Sequence, residues 1–200
     1  MQETSQELRY FAYGSNLHPV RMSDRVPSAR ALGVLELRGW SLRFHKRGRD
    51  GSGKCNVIRE ATTDAVVQGV VYAIDPRDKP ALDRAEGLGI GYELSWHQCP
   101  IHGSVFFYTA REDHVDDALQ PYTWYWRFVV EGARLQGLSE PYLNVLHAVA
   151  HIADIEPARH AENLRILERQ ALPGTVRSVD VRSCPADASE RGGLPGRSSA

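Results

Sequence analysis

Apolar residues gather in short runs along the first 110 positions and then, beyond residue 139, recur every three to four positions, so the chain passes from strand-like to helix-like patterning. The runs at 8–13, 31–37, 40–44, 65–74, 91–97 and 104–110 carry β-branched and aromatic residues between turn signals, which predicts strands. Their spacing predicts an α+β fold: a mostly antiparallel, barrel-like sheet with flanking helices. Asn16 is a good N-cap for a helix beginning at Leu17, with Pro19 in the first turn. Asp75 and Pro76 open a second helix that runs to about Glu86 and stops at Gly87. Ser139-Glu140-Pro141 opens a third, in which Tyr142, Leu143, Leu146, Val149 and Ile152 share a face and Pro157 follows the end. Residues 161–170 predict a last helix, stopped near Pro173.

At 200 residues and 42% hydrophobic content the chain can bury one substantial core. Residues 1–182 are therefore read as a single domain. From 183 to 200 Leu194 is the only large apolar side chain, too little burial to offset the entropy of ordering, and a disordered tail is expected. A formal net charge of −1 and a pI near 6.7 give no electrostatic case for nucleic acid or an acidic membrane surface. A neutral or zwitterionic small substrate fits that balance better. No 18-residue apolar run occurs, and Met1 to Glu7 lacks the basic and apolar regions of a leader, so a cytoplasmic protein without a membrane partner is expected. Cys55, Cys99 and Cys184 match no zinc or redox spacing and read as reduced thiols, the first two in or beside strands.

Several segments carry candidate chemistry. In Tyr10-Phe11-Ala12-Tyr13-Gly14-Ser15-Asn16-Leu17 an aromatic strand runs through a glycine turn into the start of a helix, where free N–H groups and the helix dipole can hold a carboxylate or phosphate. Gly48-Arg49-Asp50-Gly51-Ser52-Gly53-Lys54 nearly spells a Walker A loop. The next residue is Cys55 where a magnesium-binding hydroxyl is required, and a strand follows where a helix must open. A solvated hairpin loop is predicted instead, with His45-Lys46-Arg47 in the same exposed stretch. His147 and His151 lie four apart but lack an intervening Glu or an obvious third ligand, so packing or surface roles are expected and no metal. Tyr122-Thr123-Trp124-Tyr125-Trp126 reads as core and pocket wall, since no basic field supports base stacking. No Gly-x-Ser-x-Gly elbow occurs, and nucleophilic catalysis has no specific support. Glu86 places a negative charge at a helix C-terminus, against the dipole; taken alone it reads as an ordinary solvated glutamate, while burial there would strengthen its hold on a proton, as a general base requires.

Three separated motifs, Tyr10 to Leu17, Leu82-Asp83-x-x-Glu86-Gly87, and Tyr125 followed by Gly132-Ala133-x-x-x-Gly137-Leu138-x-x-x-Tyr142, together resemble the gamma-glutamylcyclotransferase family over about residues 8–155. Gly69-Val70-Val71-Tyr72 is similar to the family's strand before the acidic helix. The resemblance implies a small α+β domain around a barrel-like sheet, with no metal or organic cofactor. It implies substrate binding along Tyr10, Phe11, Ala12, Tyr13, Gly14, Ser15 and Asn16, the last four on the γ-glutamyl group. It makes Glu86 the acid/base, puts the Tyr125 hydroxyl in the substrate pocket and sets Tyr92 and Tyr108 near it. The implied reaction is attack of a substrate's own α-amine on its γ-carbonyl, giving 5-oxoproline and a free amine. A γ-glutamyl amino acid is the first choice of substrate; glutathione, a γ-glutamylamine or a biosynthetic intermediate protected by a γ-glutamyl group stay open. Glutathione-specific relatives usually carry a different residue at the position of Asn16. The basic stretch 45–54 and the tail have no counterpart that the resemblance assigns, and they are expected to influence the leaving-group side. A reading from another class is a non-catalytic module that binds a γ-glutamyl or carboxylate ligand.

Overall fold

The computed structural model describes residues 6–61, 64–169 and 182–184. The strands are β1 (Leu8–Ala12), β2 (Arg30–Arg38), β3 (Trp40–Arg47), β4 (Gly53–Arg59), β5 (Val66–Ile74), β6 (Tyr92–Cys99), β7 (Gly103–Ala110) and β8 (Arg182–Cys184). The helices are α1 (Pro19–Arg25), α2 (Lys79–Glu86), α3 (Thr123–Leu135), α4 (Glu140–His147) and α5 (Pro157–Glu168). The mixed α+β class expected from the sequence is the one observed. Six strands form a sheet in the order β6-β7-β1-β5-β2-β8, and β3 and β4 form a separate hairpin. The larger sheet is open, with β6 and β8 at its edges, and does not close into a barrel.

β5 lies between β1 and β2, antiparallel to both, and is buried along nearly its whole length, which is why its sequence is an apolar run rather than an alternation. β7 runs parallel to β1, and β6 returns antiparallel along β7. The β3–β4 hairpin is tied to β7 by the Asn56 side chain, whose Oδ1 accepts from the Ala110 N–H at 2.7 Å. The Trp40 ring also meets Phe107 edge-on, with centroids 5.3 Å apart. That contact seats the hairpin over the sheet and brings its tip toward the end of α2. The expected tail begins with a backbone that pairs parallel to β2 at residues 182–184, and residues 185–200 lie outside the described ones, as does the stop near Pro173.

Several boundaries differ from the pattern reading. Ser15–Leu17 makes a single 3-10 turn and α1 starts at Pro19, capped by His18 without a side-chain hydrogen bond, so Asn16 is not a cap. α3 has no counterpart in the expected elements. Its aromatic and β-branched start disguised it, although Trp124, Tyr125, Phe128, Val129, Gly132 and Ala133 form one buried helical face. Gly132 is small because α3 crosses the turn after β1 closely: a Cβ there would lie 2.4 Å from the His18 nitrogen. α4 ends at His147, and α5 begins at Pro157, which starts a helix instead of following one, with Glu156 accepting from the Ala158 N–H at 3.4 Å. Residues 45–47 belong to β3. Among the described residues no helix is long and apolar enough to cross a membrane.

Candidate active site

The turn after β1, the end of α2 and the start of α3 converge with β4, β6 and β7 on a narrow recess of about 20 Å³. Tyr10, Tyr13, Tyr92, Tyr108 and Tyr125 line it together with Glu86. It opens into a cleft of about 330 Å³ with which it shares Ser15, Glu86, Tyr92 and Tyr125. The cleft is the size of a small-molecule site and accepts a dipeptide-sized compound. The recess has room for little more than one water-sized group, so a ligand's reacting end meets Glu86 where the two spaces join.

Glu86 sits on the last residue of α2, held there because Leu82, one turn earlier, is fully buried in the core. Asp83 on the same helix accepts from Lys79 Nζ at 2.8 Å and from the Tyr108 hydroxyl at 2.6 Å, which fixes the rotation of α2 about its axis. The Glu86 carboxylate does not face the helix dipole unaided. Its Oε1 accepts from Asn16 Nδ2 at 2.8 Å and from Arg25 Nη1 at 3.1 Å. Arg25 also donates to Asn16 Oδ1 at 2.6 Å, and Asn16 Nδ2 donates to the Tyr10 hydroxyl at 2.9 Å. Asn16 thus reads Tyr10, Glu86 and Arg25 at once, a positioning role in place of the capping role its sequence position suggested. Oε2 of Glu86 has no protein donor among the described residues and is the oxygen left for a ligand.

The hydroxyls around this carboxylate are proton donors. Burial first, and the nearby negative charge of Glu86 in addition, push the Tyr10, Tyr13, Tyr92 and Tyr125 hydroxyls well above their ordinary value, so all stay protonated. Tyr13 and Tyr92 spend their protons on the carbonyls of Tyr108 and Cys55. The Tyr125 oxygen accepts from the Cys55 N–H at 3.0 Å. Gly14 has φ −114°, an ordinary value, and its lack of a side chain answers a different need from turn geometry: a Cβ would stand 3.0 Å from Cys55 Cβ and 3.4 Å from the Tyr125 hydroxyl. The N–H groups of Gly14, Ser15 and Asn16 take no backbone hydrogen bond among the described residues. Burial pushes the Cys55 thiol up to about 12, which removes it as a nucleophile.

Of the site residues expected from the sequence, Tyr10, Tyr13, Gly14, Ser15, Asn16, Tyr125 and Glu86 come together here, with Tyr92 and Tyr108 beside them. Phe11 and Ala12 are fully buried and line neither space; the Phe11 ring packs edge-on against Phe107 with centroids 6.1 Å apart. Residues 48–52 make the expected hairpin turn, with Arg49 and Gly51 exposed, but the stretch 45–54 is not solvated throughout. His45 and Lys46 are buried, and Asp50 and Lys54 form a 2.7 Å ion pair in the cleft wall, with Lys54 Nζ 4.6 Å from the centroid of Tyr125. Burial alone would raise the Asp50 carboxyl, but Lys54 and Ser52 outweigh it and hold the group below the usual carboxylate range. Burial pushes Lys54 down to about 8 in spite of Asp50.

Arg21, Arg25, Lys46, Arg47, Arg49 and Lys54 all line the cleft, against Asp50 and Glu86. A basic field therefore exists locally on a chain whose total charge is −1. Lys46, Arg47, Arg49 and Lys54 come from the stretch 45–54 singled out in the sequence, whereas Arg21 and Arg25 belong to no motif. His147 and His151 both lie against Trp126, the latter stacked at 4.2 Å. Among the described residues no group of three or more His, Cys, Asp or Glu side chains is arranged to hold a metal ion.

A family model described as gamma-glutamyl cyclotransferase, AIG2-like, matches residues 10–128. Gamma-glutamylcyclotransferase of Bos taurus is 28% identical over 151 residues, covering 70% of this chain and 77% of that protein. A solved structure named gamma-glutamyl cyclotransferase is similar with a TM-score of 0.69 at 22% identity, covering 80% of this chain and 99% of the other. An uncharacterized Homo sapiens protein gives 0.68 at 22% identity, with coverage of 80% and 99%. A yeast gamma-glutamyl cyclotransferase specific to glutathione is more distant, at 0.53 and 14% identity over 70% of this chain and 94% of that one. At these identities the structural likenesses establish the fold.

Proposed function

The chain belongs to the gamma-glutamyl cyclotransferase, AIG2-like family, and from that premise we propose that it converts a γ-glutamyl compound into 5-oxoproline and a free amine. The observation that carries this reading is the state of Glu86 at the junction of recess and cleft. One carboxylate oxygen accepts from Asn16 and Arg25, and the other has no protein donor among the described residues. That is the arrangement a shuttling acid/base needs: fixed in position and free at one lone pair.

The reaction removes two protons from the attacking nitrogen and delivers at least one to the departing nitrogen. A γ-glutamyl compound presents an α-ammonium that must lose a proton before its nitrogen can attack the γ-carbonyl. Glu86 Oε2 takes that proton. The nitrogen then bonds to the γ-carbon, closing a five-membered ring, and the carbonyl oxygen gains negative charge. Donors at the turn, the unpaired N–H groups of Gly14, Ser15 and Asn16, are suited to that oxygen or to the α-carboxylate. The Tyr125 hydroxyl, whose oxygen accepts from the Cys55 N–H, lines both the recess and the cleft and lies beside the reacting end of the ligand. Collapse of the tetrahedral centre breaks the bond to the departing nitrogen, which receives the proton from Glu86, and the ring nitrogen gives its second proton to the Glu86 carboxylate so regenerated, which passes it to the freed amine or to solvent. A positioned acid/base of this kind is worth about 10²- to 10⁴-fold, and holding the amine near the carbonyl supplies much of the remainder.

The test is release of 5-oxoproline from γ-glutamyl amino acids, glutathione and γ-glutamylamines, with Glu86→Gln beside the parent. Product from the parent and at least a hundredfold less from the variant is the expected result. Activity of the variant within a few-fold of the parent would sink the assignment of Glu86. Ligand binding with no product from any compound would favour the non-catalytic module.

A further inference from the structure

The cations of the cleft are not equally satisfied. Arg25 is matched by Glu86 at 3.1 Å, Lys54 by Asp50 at 2.7 Å and Arg47 by Asp116 at 2.8 Å. Arg21 donates to Ser15 Oγ and Asn163 Oδ1 and lies 4.4 Å over the Phe128 ring, close to the turn that serves the γ-glutamyl end. Lys46 and Arg49 remain. Neither has a carboxylate within ion-pair distance among the described residues, and both line the outer cleft and not the inner recess.

The placement of Lys46 is specific. Its side chain is buried in β3, its Nζ stands 4.5 Å from the centre of the Tyr92 ring, and its last methylene and ammonium occupy the space that a Cβ at Gly91 would fill, at 2.8 and 2.9 Å. Arg49 reaches over Gly87, its guanidinium 4.0 Å from where a Cβ would lie there. Both cations therefore press against the loop that follows Glu86. Burying an ammonium without a carboxylate is unfavourable, and a methionine or leucine would pack as well, so the arrangement is costly for folding alone. Burial drives the Lys46 pKa down and Arg49 adds to the effect, while the more distant charges of Glu86 and Asp50 oppose it without forming an ion pair.

We propose that Lys46 and Arg49 determine substrate specificity by receiving an anionic group on the departing amine, so that γ-glutamyl conjugates of acidic amines are preferred over those of neutral or cationic ones. This rests on the cyclotransferase reading for the direction of the substrate: the γ-glutamyl end lies at the turn of residues 13–16, and the departing nitrogen faces the cleft. It also revises the expectation, drawn from the near-zero total charge, of a neutral or zwitterionic ligand. An acidic leaving amine gives the substrate a net negative charge that the unpaired cations neutralise.

The experiment compares kcat/KM for γ-glutamylglutamate, γ-glutamylmethylamide and γ-glutamylputrescine, which release an acidic, a neutral and a cationic amine. In the parent the acidic conjugate should exceed the neutral one by about tenfold or more, with the cationic conjugate poorest. In the double variant K46M/R49M that ratio should fall about tenfold, and in R49E, a change at an exposed side chain, the order of acidic and cationic conjugates should reverse. Because the readout is a ratio within one preparation, loss of folded protein cancels. A parent ratio near one, or a ratio unchanged in both variants, would overturn the proposal. If no compound yields 5-oxoproline, the cyclotransferase reading fails and calorimetry of the same three compounds decides the specificity. Tighter binding of γ-glutamylglutamate by the parent and its loss in R49E would support the subsite; equal binding of all three would overturn it.

Discussion

The recess and the cleft share four residues and follow opposite electrostatic rules. The recess surrounds one carboxylate with neutral hydroxyls, kept protonated by burial and each committed to a defined partner or aimed at the site. The cleft gathers six cations against two carboxylates and leaves some of them without partners. Asn16, with Arg25 reaching in from the cleft, fixes the position of Glu86 among neutral hydroxyls. An under-neutralised rim attracts and sorts ligands but performs no proton transfer. The lesson is that chemistry and selectivity occupy adjoining volumes whose mutations should be separable, one acting on kcat irrespective of leaving group and the other acting on the choice among leaving groups.

The largest effect expected is that of Glu86→Gln. It should lower kcat by about 10²- to 10⁴-fold for every γ-glutamyl compound, acidic or neutral. A fold-loss in kcat that differs between leaving amines would break the separation. Arg25→Met comes next. Arg25 touches Glu86 and Asn16 and acts through them, so kcat should drop about 10- to 100-fold as the carboxylate loses its position. KM should change little and Arg25→Lys should restore part of kcat, whereas a merely structural loss would be rescued by neither. A smaller effect belongs to the rim. Raising salt tenfold should raise KM for γ-glutamylglutamate several-fold, leave kcat unchanged and leave γ-glutamylmethylamide nearly unaffected, because exposed charges such as Arg49 are screened.

The smallest prediction concerns the buried pair in the cleft wall. Lys54 is pushed down to about 8 from an ordinary 10.5. Between those values the unfolded chain holds a proton that the folded protein has lost, so this group's contribution to stability rises with pH across that window. From pH 7 to pH 9 the gain is about 1 kcal/mol. Urea unfolding of the parent and of Lys54→Met at the two pH values checks it: the difference between the proteins should shift by that amount, with the parent gaining at pH 9.

The contrast between the two regions also explains what the sequence made legible. The turn from Tyr13 to Asn16 and the Glu86-Gly87 pair are contiguous or nearly so, and each carries a residue type that chemistry demands, so the recess was readable before any fold. Asn16 was placed in the site for the wrong physical reason, as a helix cap, because a short polar residue before a Pro-containing turn looks the same in sequence whether its side chain faces its own backbone or a carboxylate seventy residues away. The rim is assembled from α1, β3, the β3–β4 turn and β4, and single arginines and lysines have no pattern to read. Net charge hid them, since a sum over the chain averages a concentrated patch away. His45 and Lys46 read as loop residues because charged residues beside glycines look solvated, and only the partner strand shows that Lys46 pairs with Lys54 and that His45 sits in the irregularity of β3 just before it. The missing helix has a related cause: the aromatic and β-branched residues that open α3 favour strands locally, and the burial of one face against the turn after β1 overrides that preference.

The most direct measurement is made on Glu86→Gln with γ-glutamylglutamate, following binding by calorimetry and 5-oxoproline release in the same solution. The account predicts that the variant binds within a few-fold of the parent's KM and releases product at least a hundredfold more slowly. Product released at a rate within a few-fold of the parent would contradict it, because the carboxylate at the junction of recess and cleft would then not be the group that moves the proton.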